Sequence, residues 1–331
     1  MKIIFQINGG IGKSVAATAV CRAIKKQYPD SELIVITGYP DVFLQNPHVN
    51  KVLTHNNLNY FYPDHIEGQN SKLFLQDPYN EEDFIYQRGH LVEVWCKMYG
   101  IQPDGVQPEL YITAKEKTAF APLFASEKPI MVIQTNGGVP NQTDKYSWPR
   151  DLPINTAQQV VNAFVHEYNV VHIRRQDQLP LQNTWPVTAE FRQLAVLLMM
   201  SKKRLFIDSF AQHVAAALGL PSLVCWIANV PSQFGYGGHM NLIAPQPTLK
   251  PELRNAVFNK YNIMGQPVDF PYNSEEEIFS AAQIISLLRG DAAPAIALAQ
   301  EASPADVSTN VPAETLVKEE PSKKKALTEV V

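Results

Sequence analysis

The sequence predicts an α/β protein built from two doubly wound units, each a mainly parallel sheet with helices on both faces. Three observations carry that expectation. Short apolar, β-rich runs alternate with segments of helical periodicity, the pattern of covered parallel sheets. The alternation lapses in a linker from Pro103 to Pro108 and starts afresh at Pro129, so it reads as two sheets rather than one. The chain has 331 residues, 45% of them hydrophobic, which is ordinary globular composition and, at roughly 150 residues per domain, enough for about two domains.

The elements follow in order. Lys2–Ile7 is a β-rich strand, broken by Gly9-Gly10-Ile11-Gly12. Ser14–Lys26 is helical, with Ala16, Ala19, Val20, Ala23 and Ile24 on one face. Glu32–Thr37 is a second apolar strand and Val52-Leu53 a third. Asn56 to Glu82, rich in Asn, Asp, Pro and Tyr, reads as a long loop holding one strand at Lys72–Leu75. Gly89–Tyr99 is a helix stopped by Gly100, Leu110–Ile112 a strand, and Ala114–Ala121 a helix ended by Pro122. In the second series Ile130–Gln134, Val170–Ile173, Arg204–Ile207, Ser222–Trp226 and Asn241–Ala244 read as strands. Asn155–Tyr168, Ala189–Met200, Ser209–Leu218 and Glu275–Leu288 read as helices. The expected division is 1–126, 127–290 and a tail, 291–331.

That tail has no aromatic residue and is dominated by Ala, Pro, Ser, Thr, Glu and Lys, so it reads as disordered. Its four lysines and seven acids leave only −1 of the chain's −4 for the body. A basic nucleic-acid footprint is therefore absent. No apolar run approaches the ~20 residues of a membrane span, and the N-terminus is too short and strand-like for a signal peptide. Cys21, Cys96 and Cys225 are widely spaced, offering neither a disulfide framework nor a metal spacing. They read as buried thiols of a cytoplasmic protein.

In open α/β sheets ligands bind beyond the carboxyl ends of the strands. Five segments lie there. The first, Asn8 to Ser14, places Gly9, Gly10 and Gly12 before a helix, where backbone N–H groups meet anions. Gly12-Lys13-Ser14 invites a P-loop reading, but position 7, where that pattern needs glycine, holds Ile. The partition-ATPase variant wants lysine where Asn8 stands. A substrate-contacting turn and a purely structural one stay open beside it. The second segment runs from Ile207 to Pro221: Asp208 or Ser209 caps a helix and His213 lies on its first turns, suited to a phosphate or to a structural role. The third, Asp144 to Arg150, sets the cations Lys145 and Arg150 beside Tyr146 and Trp148. The fourth, Ile173 to Gln178, carries Arg174 and Gln176. The fifth, Asn229 to His239, is a glycine-rich loop through Gly235.

Together these residues carry a resemblance. Asp208-Ser209-x-x-x-His213-x-Ala215-Ala216-Ala217-Leu218-Gly219-x-Pro221 resembles the Asp-Ser/Thr-Gly-x-x-His-x-Ala-Ala-Ala-x-Gly-x-Pro signature of the heptosyltransferase group, glycosyltransferase family nine. Gly9-Gly10-Ile11-Gly12, Ala23-Ile24-Lys25-Lys26, Tyr28-Pro29-Asp30, Leu33–Thr37 and Asn46-Pro47-His48-Val49 are similar to that family's opening. The similarity runs from about Lys2 to Ala244. It implies a GT-B fold, two Rossmann-like domains facing a cleft, with the nucleotide-sugar donor mainly on the C-terminal side and the acceptor on the N-terminal side. It implies inverting, metal-independent glycosyl transfer to a glycan or lipid-linked acceptor in cell-surface glycan biosynthesis. No cofactor is implied, and a lipid-linked acceptor would bring peripheral membrane contact.

By position Ser209, His213 and nearby N–H groups would hold the donor diphosphate, Lys145 or Arg150 would neutralise it, and Arg174 to Gln178 would lie near the nucleoside. Charge builds on the leaving diphosphate, which preorganised donors stabilise. Two departures stand out. Lys13 occupies the position of the family's presumed base, an Asp, and a lysine with a pKa near 10.4 is a poor base at neutral pH. It would instead bind an acidic acceptor or a phosphate. Phe210 stands where the family has Gly. A partition-type P-loop ATPase and a non-catalytic glycosyltransferase relative are the competing readings.

Overall fold

The computed structural model describes residues 1–137, 148–187, 189–245 and 272–291. The expected tail lies, past Asp291, outside the described residues, as does Lys145. The first half contains β1 (Lys2–Ile7), α1 (Ile11–Gln27), β2 (Glu32–Thr37), β3 (Lys51–Leu53), α2 (Phe61–His65), β4 (Ser71–Phe74), α3 (Glu82–Ile85), α4 (Leu91–Met98) and α5 (Ala114–Phe120). The second contains β5 (Ile130–Ile133), α6 (Ile154–Phe164), β6 (Asn169–Ile173), β7 (Trp185–Val187), α7 (Phe191–Met200), β8 (Lys203–Ile207), α8 (Phe210–Ala217), β9 (Leu223–Trp226), α9 (Pro231–Phe234), β10 (Met240–Ile243) and α10 (Ala281–Arg289). Among the described residues no helix is long and apolar enough to cross a membrane.

Both sheets are wholly parallel, ordered β3-β2-β1-β4 and β10-β9-β8-β5-β6-β7. The central strands are mostly apolar, with polar residues towards their ends, because both faces are covered. In β5, Ile130 and Val132 face one core while Met131 and Ile133 face another, and Phe206 parts from Leu205 and Ile207 in the same way. The first of these cores is continuous across the molecule. It runs from Ile3, Phe5 and Val35 through α1 to Leu198, Val214 and Trp226. The second lies between the other face of the second sheet and α6 and α10.

Helix α1 sits in the middle of this arrangement. Its expected apolar face is buried, and Ala17, Thr18 and Cys21 on other sides are buried too. Its alanines let neighbouring helices approach closely. All three cysteines are free, buried thiols.

Several expectations need correcting. Leu110–Ile112 is not a strand: Glu109 N donates to Thr18 Oγ1 of α1 at 2.8 Å, and the Tyr111 carbonyl accepts from Arg192 of α7. The segment's polar groups thus go to side chains rather than to a ladder. β7 was not expected, since Pro186 cannot donate; it is an edge strand, where proline is tolerated. Helix α10 begins at Ala281, capped by Ser280, with a separate 3-10 turn at Glu275–Glu277. Helix α6 stops at Phe164, short of Tyr168.

Candidate functional site

The strand ends of both halves meet where α1 and α8 begin. A Cβ added at Gly12 would lie 2.9 Å from His213 Cδ2 and 3.2 Å from Phe210 Cα, so the glycine is what lets the two helices abut. Gly9 has φ +97°, a conformation favouring glycine, while Gly10 is the N-cap of α1 and makes no side-chain cap.

The Lys13 stem passes Gly9, where an added Cβ would lie 3.3 Å from its Cδ. Its ammonium meets Asp77 Oδ1 at 2.5 Å and stands 3.9 Å from the Tyr79 ring centre, with Trp95 at 5.4 Å. Burial lowers its pKa, and the hydrogen bond and charge of Asp77 oppose that shift. Asp77 Oδ1 also accepts from Tyr79 N at 2.9 Å, which fixes the carboxylate at the end of the β4 loop. The cation is therefore paired within the protein.

On the other side α8 starts without a side-chain cap from Ser209. The capping expected of Asp208 or Ser209 is supplied by Gln134, the residue after β5. Its Oε1 accepts from Ala211 N at 3.4 Å and its Nε2 donates to Ser209 Oγ at 3.1 Å. Asp208 is buried and accepts from Asn229 Nδ2 at 2.5 Å. Burial raises its pKa against the Arg150 charge and the Asn229 bond. Arg150 lies over the backbone after β5: a Cβ at Gly137 would come within 2.4 Å of its Cδ. Its charge acts on both Asp208 and His213. The loop beneath is braced by Asp151, which accepts from Asn136 Nδ2 at 3.0 Å and Gly137 N at 2.9 Å.

His213 is buried with both ring nitrogens engaged. The Gln212 amide reaches Nε2 at 3.1 Å, making Nδ1 the protonated nitrogen that donates to Tyr236 Oη at 2.7 Å. Burial, then the charges of His90, His239 and Arg150, push its pKa down to about 3. His90 is pushed down to about 4 by burial, and burial also lowers His239. The Tyr236 ring lies between these three histidines, and burial pushes its hydroxyl pKa up. Gly235 is tightly required, since a Cβ there would be 2.7 Å from Pro231 O.

The β6 loop lies alongside. Arg174 donates to the carbonyls of Arg175 and Gln178 at 3.1 and 3.3 Å, Gln178 Nε2 reaches Gly137 O at 3.4 Å, and Gln176 is exposed. The structure thus brings Gly12, His213, Asp208 and Arg150 into one region, with Ser209 joined to it through Gln134. It leaves Arg174 bonded within its own loop. Gln134, Asp77, Asp151, Tyr236 and His90 were missed by the sequence reading; of these only Tyr236 lay in a segment already singled out. Among the described residues no group of three or more His, Cys, Asp or Glu side chains is arranged to hold a metal ion.

The sequence matches no family model and no curated protein. Solved structures do match. A glycosyltransferase of family nine from Veillonella parvula superposes with a TM-score of 0.61 at 11% identity, over 87% of this chain and 96% of that one. The ADP-heptose LPS heptosyltransferase II of E. coli gives 0.59 at 13%, over 88% and 100%. TibC of enterotoxigenic E. coli, an iron-containing dodecameric glycosyltransferase, gives 0.53 at 13%, over 72% and 61%. The two parallel sheets, their facing strand ends and these superpositions establish that the chain has the GT-B fold of family-nine glycosyltransferases.

Proposed function

We propose that this protein is an inverting, metal-independent glycosyltransferase that takes a sugar from a nucleotide-sugar donor to a glycan or lipid-linked acceptor, in the cytoplasm, for a cell-surface glycan. The observation that carries the reading is Arg150. It lies against the Gly137 backbone, acts electrostatically on Asp208 and His213, and belongs to the strand ends from which α8 starts. A cation and a helix N-terminus at one place suit a leaving diphosphate. As the anomeric C–O bond breaks, the electron pair leaves with the diphosphate and its charge falls on Arg150 and the first N–H groups of α8. The acceptor hydroxyl attacks the opposite face, and Asp77, a quarter exposed on the acceptor side, takes its proton.

His213 serves this site by position: it holds α8 against Gly12 and Tyr236. Lys145 stays with the donor side as a proposal from its place in the sequence, and Arg174 and Gln176 with the nucleoside. The pairing of Lys13 with Asp77 and the bulk of Phe210 at the start of α8 favour a second reading, a relative that binds nucleotide without transfer.

The test is a thermal-shift panel of ADP, GDP, UDP, CDP and ATP with and without Mg²⁺. A nucleoside diphosphate at about 100 times its Kd adds about 2.7 kcal/mol, a plainly raised midpoint. We expect one diphosphate to act without metal and Arg150→Ala to abolish the shift. No response to any diphosphate would sink both readings, and a response to Mg-ATP alone, lost with Lys13→Ala, would support the P-loop. Release of diphosphate from the matching nucleotide sugar separates transferase from binder.

A further inference from the structure

The second sheet has a cavity at the end opposite the candidate donor site. It holds about 450 Å³ and opens among the first residues of β8, β9 and β10 and the last turn of α10. Lys202, Lys203, Arg204, Ser222 and His239 line it, with no acidic side chain. Three consecutive cations share this cavity, and among the described residues none of them has an ion-pair partner.

Arg204 is 9% exposed. Its Nε donates to Pro221 O at 2.9 Å, and its Nη1 to Ser201 O and Oγ at 2.6 and 3.0 Å. These neutral acceptors tie it to the end of α7 but bring no counter-charge, and Nη2 makes no hydrogen bond among the described residues. A buried cation without a counter-ion is costly. Lys203 crosses to α10, donating to Leu288 O, and Lys202 stands exposed at the rim.

Phosphate answers this charge better than a carboxylate does: it carries about −1.5 to −2 at pH 7 on three acceptor oxygens, against a single charge on two.

We propose that this cavity is a phosphate-binding site, separate from the cleft, for the phosphate of a small phosphorylated molecule or of a lipid headgroup. Its volume exceeds what one phosphate fills, so it has room for the rest of such a molecule.

The test is calorimetric titration of the full chain with inorganic phosphate, at constant ionic strength against chloride. Lys202→Glu, at the exposed rim where folding is safe, should weaken phosphate binding roughly tenfold or more. Arg150→Ala reports any phosphate held in the cleft and should leave this binding in place. A parallel sedimentation with phosphatidylcholine vesicles, with and without phosphatidic acid, separates the sources. Lys202-dependent capture by phosphatidic acid names a headgroup; phosphate binding without capture names a free phosphorylated molecule. Failure of both probes, or binding indifferent to Lys202→Glu, overturns the proposal.

Discussion

Lys13 carries an ammonium on a side chain only 3% exposed, paired with an Asp77 carboxylate that is 25% exposed. Taking the partner away leaves a buried charge without compensation, whereas replacing both groups by neutral ones removes the problem. Asp77→Asn should therefore cost about 2–4 kcal/mol in urea unfolding. Lys13→Met combined with Asp77→Asn should recover most of that loss; a double variant as unstable as the single one would show that the pair is not what holds Lys13. The same residue shows what was legible at this scale. Gly12-Lys13-Ser14 was visible as a cation after a glycine turn, but its direction was not. Asp77 stands 64 residues further on, in a segment that sequence could only read as a loop. His213 is a parallel case: the sequence marked it, but its partner Tyr236 comes from another loop 23 residues away.

Elements were read well where periodicity is local and poorly where tertiary contacts decide. β1 and β2 are mainly apolar runs, and their bounds agree with the expected ones. The extended run at Leu110–Ile112 has strand-like residues but finds its partners on α1 and α7, so no ladder forms. The start of α8 makes the same point. Ser209 has the residue type of an N-cap, yet Gln134 from β5 satisfies Ala211 N and holds Ser209 Oγ. Gln134→Ala should thus behave as loss of a cap, costing about 1–2 kcal/mol. Ser209→Ala should cost less than that. Thermal unfolding of the two variants checks the order, and the reverse order would return the capping role to Ser209. Because α8 begins the candidate donor site, Gln134→Ala should also weaken nucleoside diphosphate binding.

At the scale of the whole molecule the two halves meet in a closed, hydrogen-bonded contact. Arg192 of α7 reaches Asp41 O at 2.9 Å and Glu116 Oε2 at 3.0 Å, and Gln233 Nε2 reaches Phe84 O at 2.9 Å. Two sheets were legible from the restart of the strand–helix series. This contact was not, because its residues come from segments more than 70 positions apart and show no spacing. Its histidines give it a pH dependence whose sign follows from burial. His90 and His213 titrate near 4 and 3 in the folded protein, His239 is lowered, and in the unfolded chain all three titrate near 6.5. Between about 6.5 and 4 the unfolded chain takes up protons that the folded one refuses. Stability is therefore full above that window and falls as pH drops through it. His172, pushed down to about 4 by burial and Arg174, adds to the same slope. Asp208, raised by burial, opposes it, since the folded form protonates first. The loss should reach up to about 2 kcal/mol per buried histidine by about pH 5. Urea midpoints across that range check it, and His90→Gln should flatten the slope by one histidine's share. A slope unchanged by His90→Gln would mean that this imidazole is solvated or charged, and that the two halves are more open than the hydrogen bonds around Tyr236 imply.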